Sequence, residues 1–245
     1  MTQKRILISS IIRNRANYLN LWLNQINLMI ERCPDYEFFI SAYENDSTDD
    51  SVRILKSLDF SKFKDFFIKT EKLNTPSFGS IKNDQRVCLL ADARNKAIYD
   101  CNFVQHCDEV LFIEPDIDYD PVELSNIVRD HSCDILSAKS THIHNAMPHE
   151  IYDAWASRIT DKDEGWPPGV AVDGFPKRME VWSTFNCFCK YNAEPIKNKI
   201  SFSGFNKRLN KYDCDTAVIC ENFREAGYNK VVLDGRYSVF HSRYN

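Results

Sequence analysis

Val110-Leu111-Phe112-Ile113-Glu114-Pro115-Asp116-Ile117-Asp118 is an apolar run that ends in a cluster of carboxylates around a proline. Four consecutive apolar residues predict a strand buried on both faces. Acids at its end then fall in the crevice at the carboxyl edge of an α/β sheet, where ligands of such sheets bind. Two acids one residue apart can offer oxygens to a single hard divalent cation, which can hold a diphosphate that the acids alone would repel. The same residues also read as a plain strand end before a helix, with Asp120 as cap, Pro121 in the first turn and Glu123 beyond it. The two readings are compatible.

Outward from this stretch the elements alternate, as a doubly wound sheet requires. Residues 5–10 predict a first strand, and 16–30 carry helical apolar spacing through Leu19, Trp22, Leu23 and Ile26. A second strand is expected at 36–42, followed by a polar loop in which Ser47 or Thr48 can cap the next helix. A third strand at 63–68, a helix at 84–100 and the fourth strand at 109–113 complete a β-α-β-α-β-α-β half, hence a mostly parallel sheet with helices on both faces. Beyond Asp120 the pattern loosens. Strands are expected at 135–138, 181–189, 230–233 and 237–240, with a helix at 214–226 stopped by Gly227 and a charged, mobile loop at 161–168. No repeat or linker divides the chain, so one domain is expected, with a nucleotide-binding half (1–120) and an irregular second half (121–245).

Composition excludes several classes. The 245 residues can bury a substantial core, and a net charge of −4 gives no polybasic surface for nucleic acid or anionic lipid. No apolar run reaches the length of a membrane span and no signal peptide opens the chain, so a cytoplasmic protein is expected. Nine scattered cysteines, an odd number, suit reduced thiols rather than a disulfide framework. Cys187 and Cys189 alternate on an expected strand and would share a face, as small core residues or, less readily, metal ligands. His142, His144 and His149 lack a carboxylate or thiolate at matching spacing and read as a polar cleft lining rather than a zinc site.

Several segments together resemble nucleotide-sugar-dependent glycosyltransferases of the GT-A fold, and among them the capsule-associated family typified by the cryptococcal α-1,3-mannosyltransferase. They are Tyr43-Glu44-Asn45-Asp46-Ser47-Thr48-Asp49, Leu90-Ala91-Asp92-Ala93-Arg94-Asn95-Lys96-Ala97 and the strand leading into the acids. Tyr152-Asp153-Ala154-Trp155, Val181-Trp182-Ser183-Thr184-Phe185-Asn186 with Ala193-Glu194-Pro195, and Asp213-Cys214-Asp215 continue the series. Each is common alone; their order and spacing carry the resemblance.

The resemblance implies a Rossmann-like GT-A fold and a metal-dependent transfer of a hexose, mannose from GDP-mannose first, to a sugar hydroxyl of a glycan. It implies that Arg13 and Glu44, with Asn45 and Asp46 adjacent, hold the nucleoside of a GDP- or UDP-sugar. Arg94 would reach the diphosphate or an acid of the motif, a task suited to the multi-donor guanidinium. Family members show Asp-x-Asp or Asn-Asp where this chain has Glu114-Pro115-Asp116. Aligned on the strand end, Asp116 would bind Mn²⁺ or Mg²⁺, Glu114 would lie nearer the ribose or a metal-bound water, and Asp118 would be peripheral. His241, after a late apolar strand, is expected as a further metal ligand. Asp215 is the expected base or acceptor anchor, Asn186 would hydrogen-bond the transferred sugar, and Asp153 and Trp155 would line the cleft. The competing expectations are a nucleotide-sugar or glycan-binding protein that kept the fold and lost catalysis, and a sugar-phosphate nucleotidyltransferase. The latter is disfavoured because no Gly-rich phosphate loop follows the first strand.

Overall fold

The structure, a computed structural model, describes residues 3–79, 81–142, 151–166 and 178–241. Its first half runs β1 (Lys4–Ile12), α1 (Leu19–Glu31), β2 (Tyr36–Asn45), α2 (Ser51–Ser57), β3 (Asp65–Glu71), α3 (Asp84–Tyr99), a 3-10 turn (Phe103–His106) and β4 (Glu109–Ile113). There follow β5 (Ile117–Tyr119), α4 (Pro121–Arg129), β6 (Ile135–His142), β7 (Met179–Glu180), β8 (Phe188–Asn192) and α5 (Ala193–Lys197). A hairpin of β9 (Phe205–Asn206) and β10 (Lys211–Tyr212) precedes α6 (Asp215–Glu225) and β11 (Val231–His241).

One sheet carries nine of these strands in the order β3-β2-β1-β4-β8-β6-β11-β5, with β7 also on β11. Strands β1, β2, β3, β4, β6 and β11 point one way, and β5, β7 and β8 run against them. The expected mostly parallel, Rossmann-like sheet is present, with β8 as the reversed strand at its middle. Both faces are covered, which is why β4 is apolar from Val110 to Ile113. Leu111 and Ile113 enter a core shared with α1 and α4, whereas Val110 and Phe112 enter one shared with α3 and α6.

Helix starts follow the sequence in one case and depart from it in another. Asp120 caps α4 as expected, its carboxylate accepting the Val122 N–H at 2.8 Å. Neither Ser47 nor Thr48 caps α2, which begins later, at Ser51. The Ser47 hydroxyl instead accepts the Asn14 N–H at 2.9 Å and the Ser51 hydroxyl accepts the Arg15 N–H at 2.7 Å. These bonds tie the loop after β2 to the loop after β1, so the backbone carrying Arg13 and Arg15 is held from outside. At the end of α6, Gly227 takes φ +92° and stops the helix as expected.

The second half required corrections. Of the expected strand at 181–189 only residues 188–189 are strand, the start of β8, because Asn186 (φ 53°) and Cys187 (φ 62°) adopt left-handed backbone that a strand cannot hold. Cys187 and Cys189 therefore do not share a face: they belong to the two different cores. The two expected closing strands are one strand, β11, whose register against β6 shifts between Asp234 and Ser238. His144, His149 and the end of the 161–168 loop lie outside the described residues. All nine cysteines are free thiols. Among the described residues no helix is long and apolar enough to cross a membrane.

Candidate active site

Parallel strands end at one edge, and the sequence places its chemistry there. The Ser10 hydroxyl donates to the Ile113 carbonyl at 2.6 Å, locking the ends of β1 and β4 side by side. β8 begins at the same edge, where the Glu114 N–H donates to the Cys187 carbonyl at 2.9 Å. β11 returns antiparallel to β5 with His241 opposite Ile117, next in sequence to Asp116. The edge opens into a cleft of about 510 Å³ whose lining includes Arg13, Arg94, Glu114, Asp116, Asp215 and His241. That is room for a ligand of nucleotide size.

Asp116 is the hub of the cleft. Its Oδ2 lies 3.1 Å from His241 Nε2 and 2.8 Å from Arg15 Nε. Burial works against its charge, yet the hydrogen bond to His241 and the Arg15 guanidinium hold its carboxyl below the usual range. Tyr152 stacks on the His241 ring at 3.9 Å between centroids, fixing the plane of the imidazole. A spacing of 3.1 Å between an oxygen and a nitrogen is that of adjacent ligands around a cation with bonds of about 2.1 Å. Asp116 and His241 thus fit a divalent ion as a pair. Among the described residues no third His, Cys, Asp or Glu joins them. Such a site leaves the remaining positions to water and to a phosphate-bearing substrate, the usual arrangement for Mg²⁺. Arg15 shares the same carboxylate oxygen and must move off when a cation enters.

Glu114 turns away from this pair. Its Oε1 receives Arg94 Nη2 at 3.0 Å and Nη1 at 3.1 Å, while Arg94 Nε lies 3.1 Å from Asp215 Oδ2. The second contact is close enough for an ion pair but misses hydrogen-bond geometry, since neither atom has a hydrogen-bond partner. Arg94 is only 5% exposed, and its guanidinium carbon stands 4.6 Å from the centroid of Phe185, 5.7 Å from Phe112 and 5.9 Å from Phe202. Buried among three rings, it is committed to two acids of the chain itself. Burial pushes the Glu114 carboxyl up to about 7, with Arg94 opposing and Asp116 adding to the rise. Burial also raises Asp215, against the pull of Arg94 and Arg86.

Asp153 lines the same cleft as Asp215 and is the more exposed of the two; one of its oxygens accepts the Asn186 N–H at 3.1 Å. Burial lifts its carboxyl to about 6, opposed by the Asn186 amide and by Arg94. A carboxylate of that affinity, open to a cleft, is suited to accept a proton near neutral pH.

Of the remaining residues expected from sequence, Arg13 lines the cleft, and Asp46, Glu44, Asn186 and Asp118 make bonds within the chain. Arg13 donates to the Thr75 hydroxyl and to the carbonyls of Thr75 and Pro76, at 2.8 to 3.1 Å, and so fastens the loop after β3 along one wall. Asp46 accepts the N–H groups of Leu73, Asn74 and Thr75 and the Thr75 hydroxyl; although burial opposes it, these bonds hold its carboxyl low. Glu44 is 1% exposed and accepts the Ser47 N–H at 2.8 Å. Asn186 is wholly buried, its side chain bonded to Ser140, Ser157 and Thr184. Asp118 points elsewhere and accepts from Gln25 at 2.6 Å. The sequence reading passed over Arg15. Its signal was present, since in Arg13-Asn14-Arg15 the two arginines stand two apart, and the one nearer the acids is the second.

Comparison with known proteins follows this geometry. The family described as Cryptococcal mannosyltransferase 1 matches residues 5–221. Solved structures share the fold. Over 96% of this chain and 60% of its own, S. aureus TarS 1–349 in complex with UDP superposes with a TM-score of 0.54 at 15% identity. The complex of that protein with UDP-GlcNAc gives 0.55 at 16%, over 99% of this chain and 59% of its own. The mannosyltransferase PcManGT from Pyrobaculum calidifontis, in complex with GDP-Man and Mn²⁺, gives 0.55 at 11%, over 98% and 57%. The chain thus spans about 60% of the length of these solved structures. No curated protein matches it. The architecture is the GT-A fold.

Proposed function

The chain belongs to the cryptococcal mannosyltransferase 1 family, a glycosyltransferase family, and from that premise we propose that it transfers a hexose from a nucleotide sugar to a hydroxyl of a glycan, with a divalent metal. The observation that carries this reading is the meeting of Asp116 from the end of β4 with His241 from the end of β11 in a cleft of about 510 Å³. GDP-mannose is the donor placed first, from the family and from the GDP-Man complex of the PcManGT structure; a UDP-sugar is the competitor, as in the TarS complexes. Residues 1–120 and 121–245 act as one unit here, because the site draws on both. Nine free thiols suit a reducing compartment such as the cytoplasm.

Electrostatics favours a cation here. Five acids, Glu114, Asp116, Asp153 and Asp215 among them, line the cleft against Arg13, Arg15, Arg86 and Arg94, so the protein alone offers a diphosphate little net positive charge. Asp116 and His241 would hold Mn²⁺ or Mg²⁺, which would supply positive charge to the departing diphosphate. Arg15, once displaced from Asp116, would turn its fork to the same phosphates. Arg94 acts at one remove, holding Glu114 and the more deeply buried Asp215 in place in the cleft wall. Asp153 takes the proton of the acceptor hydroxyl while the acceptor oxygen bonds to the anomeric carbon. The bond from that carbon to the diphosphate breaks, and its electron pair leaves with the diphosphate.

The test is nucleotide release from a panel of GDP- and UDP-sugars with and without Mn²⁺. One donor should be turned over, and Asp116→Ala should abolish turnover while circular dichroism shows the fold intact. Tight binding of a donor without turnover, across a broad acceptor panel, would establish the binding-protein reading instead.

A further inference from the structure

A second hollow, of about 180 Å³, adjoins the cleft. Trp155 lines both, so the indole is the wall between them. At about 30 Å³ per water the hollow holds roughly six waters, room for one sugar ring and too little for a nucleotide sugar.

Its walls mix two kinds of surface. Trp155 and Tyr212 offer aromatic area, the type of surface on which the C–H faces of a pyranose pack. The charged side chains cancel: Lys82, Lys211 and Arg158 stand against Asp84, Glu164 and Asp213. Three of each sign leave no net field for an anion. Arg158 and Asp213 are closed on each other at the buried base, at 2.9 and 2.5 Å. Lys82, over the Trp155 ring at 5.3 Å, and Lys211, paired with Glu164 at 2.6 Å, are exposed enough to give up those contacts to hydroxyls.

The aromatic surface continues past the hollow. On the β9–β10 hairpin, which stands outside the main sheet, Tyr212 is 48% exposed and Phe205 38%, and the two rings meet edge to face at 5.5 Å. Two large exposed aromatics side by side on a two-stranded hairpin have no core to serve. They extend a path that begins at Asp153, crosses Trp155 and passes Tyr212.

We propose that this hollow is the acceptor subsite and that the Phe205–Tyr212 shelf lengthens it, so that the acceptor is a neutral oligosaccharide rather than a single sugar or a phosphate-bearing carrier. The assignment rests on the glycosyltransferase reading above and adds the substrate class to it. The acceptor end enters over Trp155 to meet Asp153, and the preceding sugars lie along the hollow and the shelf.

Donor turnover identifies the donor first. Acceptor kinetics then compare methyl α-mannoside, mannotetraose, cellotetraose, maltotetraose and the anionic tetragalacturonate, with binding of each followed separately by saturation-transfer NMR. A neutral tetrasaccharide should outperform the monosaccharide and the uronate. Tyr212→Ala and Phe205→Ala should each raise its KM by roughly 3- to 10-fold with donor KM unchanged, and Phe205→Ala, on the shelf beyond the hollow, should leave the monosaccharide KM unchanged as well. Equal loss for monosaccharide and tetrasaccharide in Phe205→Ala, no loss in either variant, or preference for the uronate would overturn the subsite. Failure of every donor to bind or turn over would instead overturn the enzymatic reading. Saccharide binding lost in Tyr212→Ala would still support the subsite in that case, and saccharide binding that the variant leaves unchanged would overturn it.

Discussion

Replacing Arg94 by methionine removes the one cation that two buried acids share. The structure sets the size of the effect. Removing one partner of a buried ion pair costs about 3–5 kcal/mol, and the guanidinium also loses ring contacts of about 1–2 kcal/mol. Two features reduce the sum. Methionine fills most of the space between Phe112, Phe185 and Phe202 with apolar atoms, and Glu114, 19% exposed at its side chain, faces the cleft, where it can take water or a proton. Asp215, with a side chain 3% exposed, has no access to water and keeps its penalty until it is protonated. The expected loss is about 3–4 kcal/mol at pH 8, a fall in Tm of roughly 6–16 °C for a chain of this size.

The loss should also depend on pH with a definite sign. Without Arg94, the carboxyls of Asp215 and Glu114, already raised by burial, rise further. A carboxyl whose folded pKa lies above its unfolded one destabilises the fold once pH passes the unfolded value. Arg94→Met should therefore be less damaging at pH 5 than at pH 8, and adding Asp215→Asn and Glu114→Gln should recover most of the loss at pH 8. Urea melts of wild type, single and triple variants at both pH values measure this. A loss under about 1 kcal/mol, or no recovery in the triple variant, would refute the claim that Arg94 serves these two acids.

Two further outcomes separate catalysis from support. The pH profile of kcat/KM should fall below about pH 6 as Asp153 takes up a proton, and Asp153→Asn should lower turnover by roughly 10²–10⁴, remove that acidic limb and leave donor affinity in calorimetry unchanged. An unaltered limb in the variant would assign it to another group. Asn186→Leu should cost roughly 2–3 kcal/mol in urea melts, by stranding buried hydroxyls and forcing a branched side chain to φ near +53°, with donor affinity unaffected. A raised donor KM at undiminished stability would show that Asn186 touches the sugar after all.

The first half of the fold was legible where its strands are buried on both faces. β1, β2 and β4 read as apolar runs and α1 carries a clear helical apolar spacing, whereas β3 is partly exposed and α3 only weakly amphipathic. The second half hid its elements where length or backbone broke the pattern. β5, β7, β9 and β10 have two or three residues each, too few for any periodicity. The left-handed turn at Asn186 and Cys187 interrupts what looks in sequence like one apolar strand. In the cleft, the residue types were legible and their partners were not. Glu44, Asp46 and Asn186 sit where motifs put them, and their bonds to backbone amides and buried hydroxyls are ones that no spacing reveals. The pairing of Arg94 with both Glu114 and Asp215 depends on α3 and α6 packing on the same face, a tertiary fact.

The pairing of β11 with β5 has a consequence for how this protein comes into being. A ribosome delivers Arg15 and Asp116 early and His241 near the end of these residues, after every other strand of the sheet. Until β11 has docked, the two halves of the cation pair are apart and Asp116 is an acid on an unfinished edge. Arg15 is already there to neutralise it. On the proposed reading the arginine would be a placeholder until β11 docks, and a nascent chain that has not yet made β11 would hold the donor half of the fold without the Asp116–His241 pair.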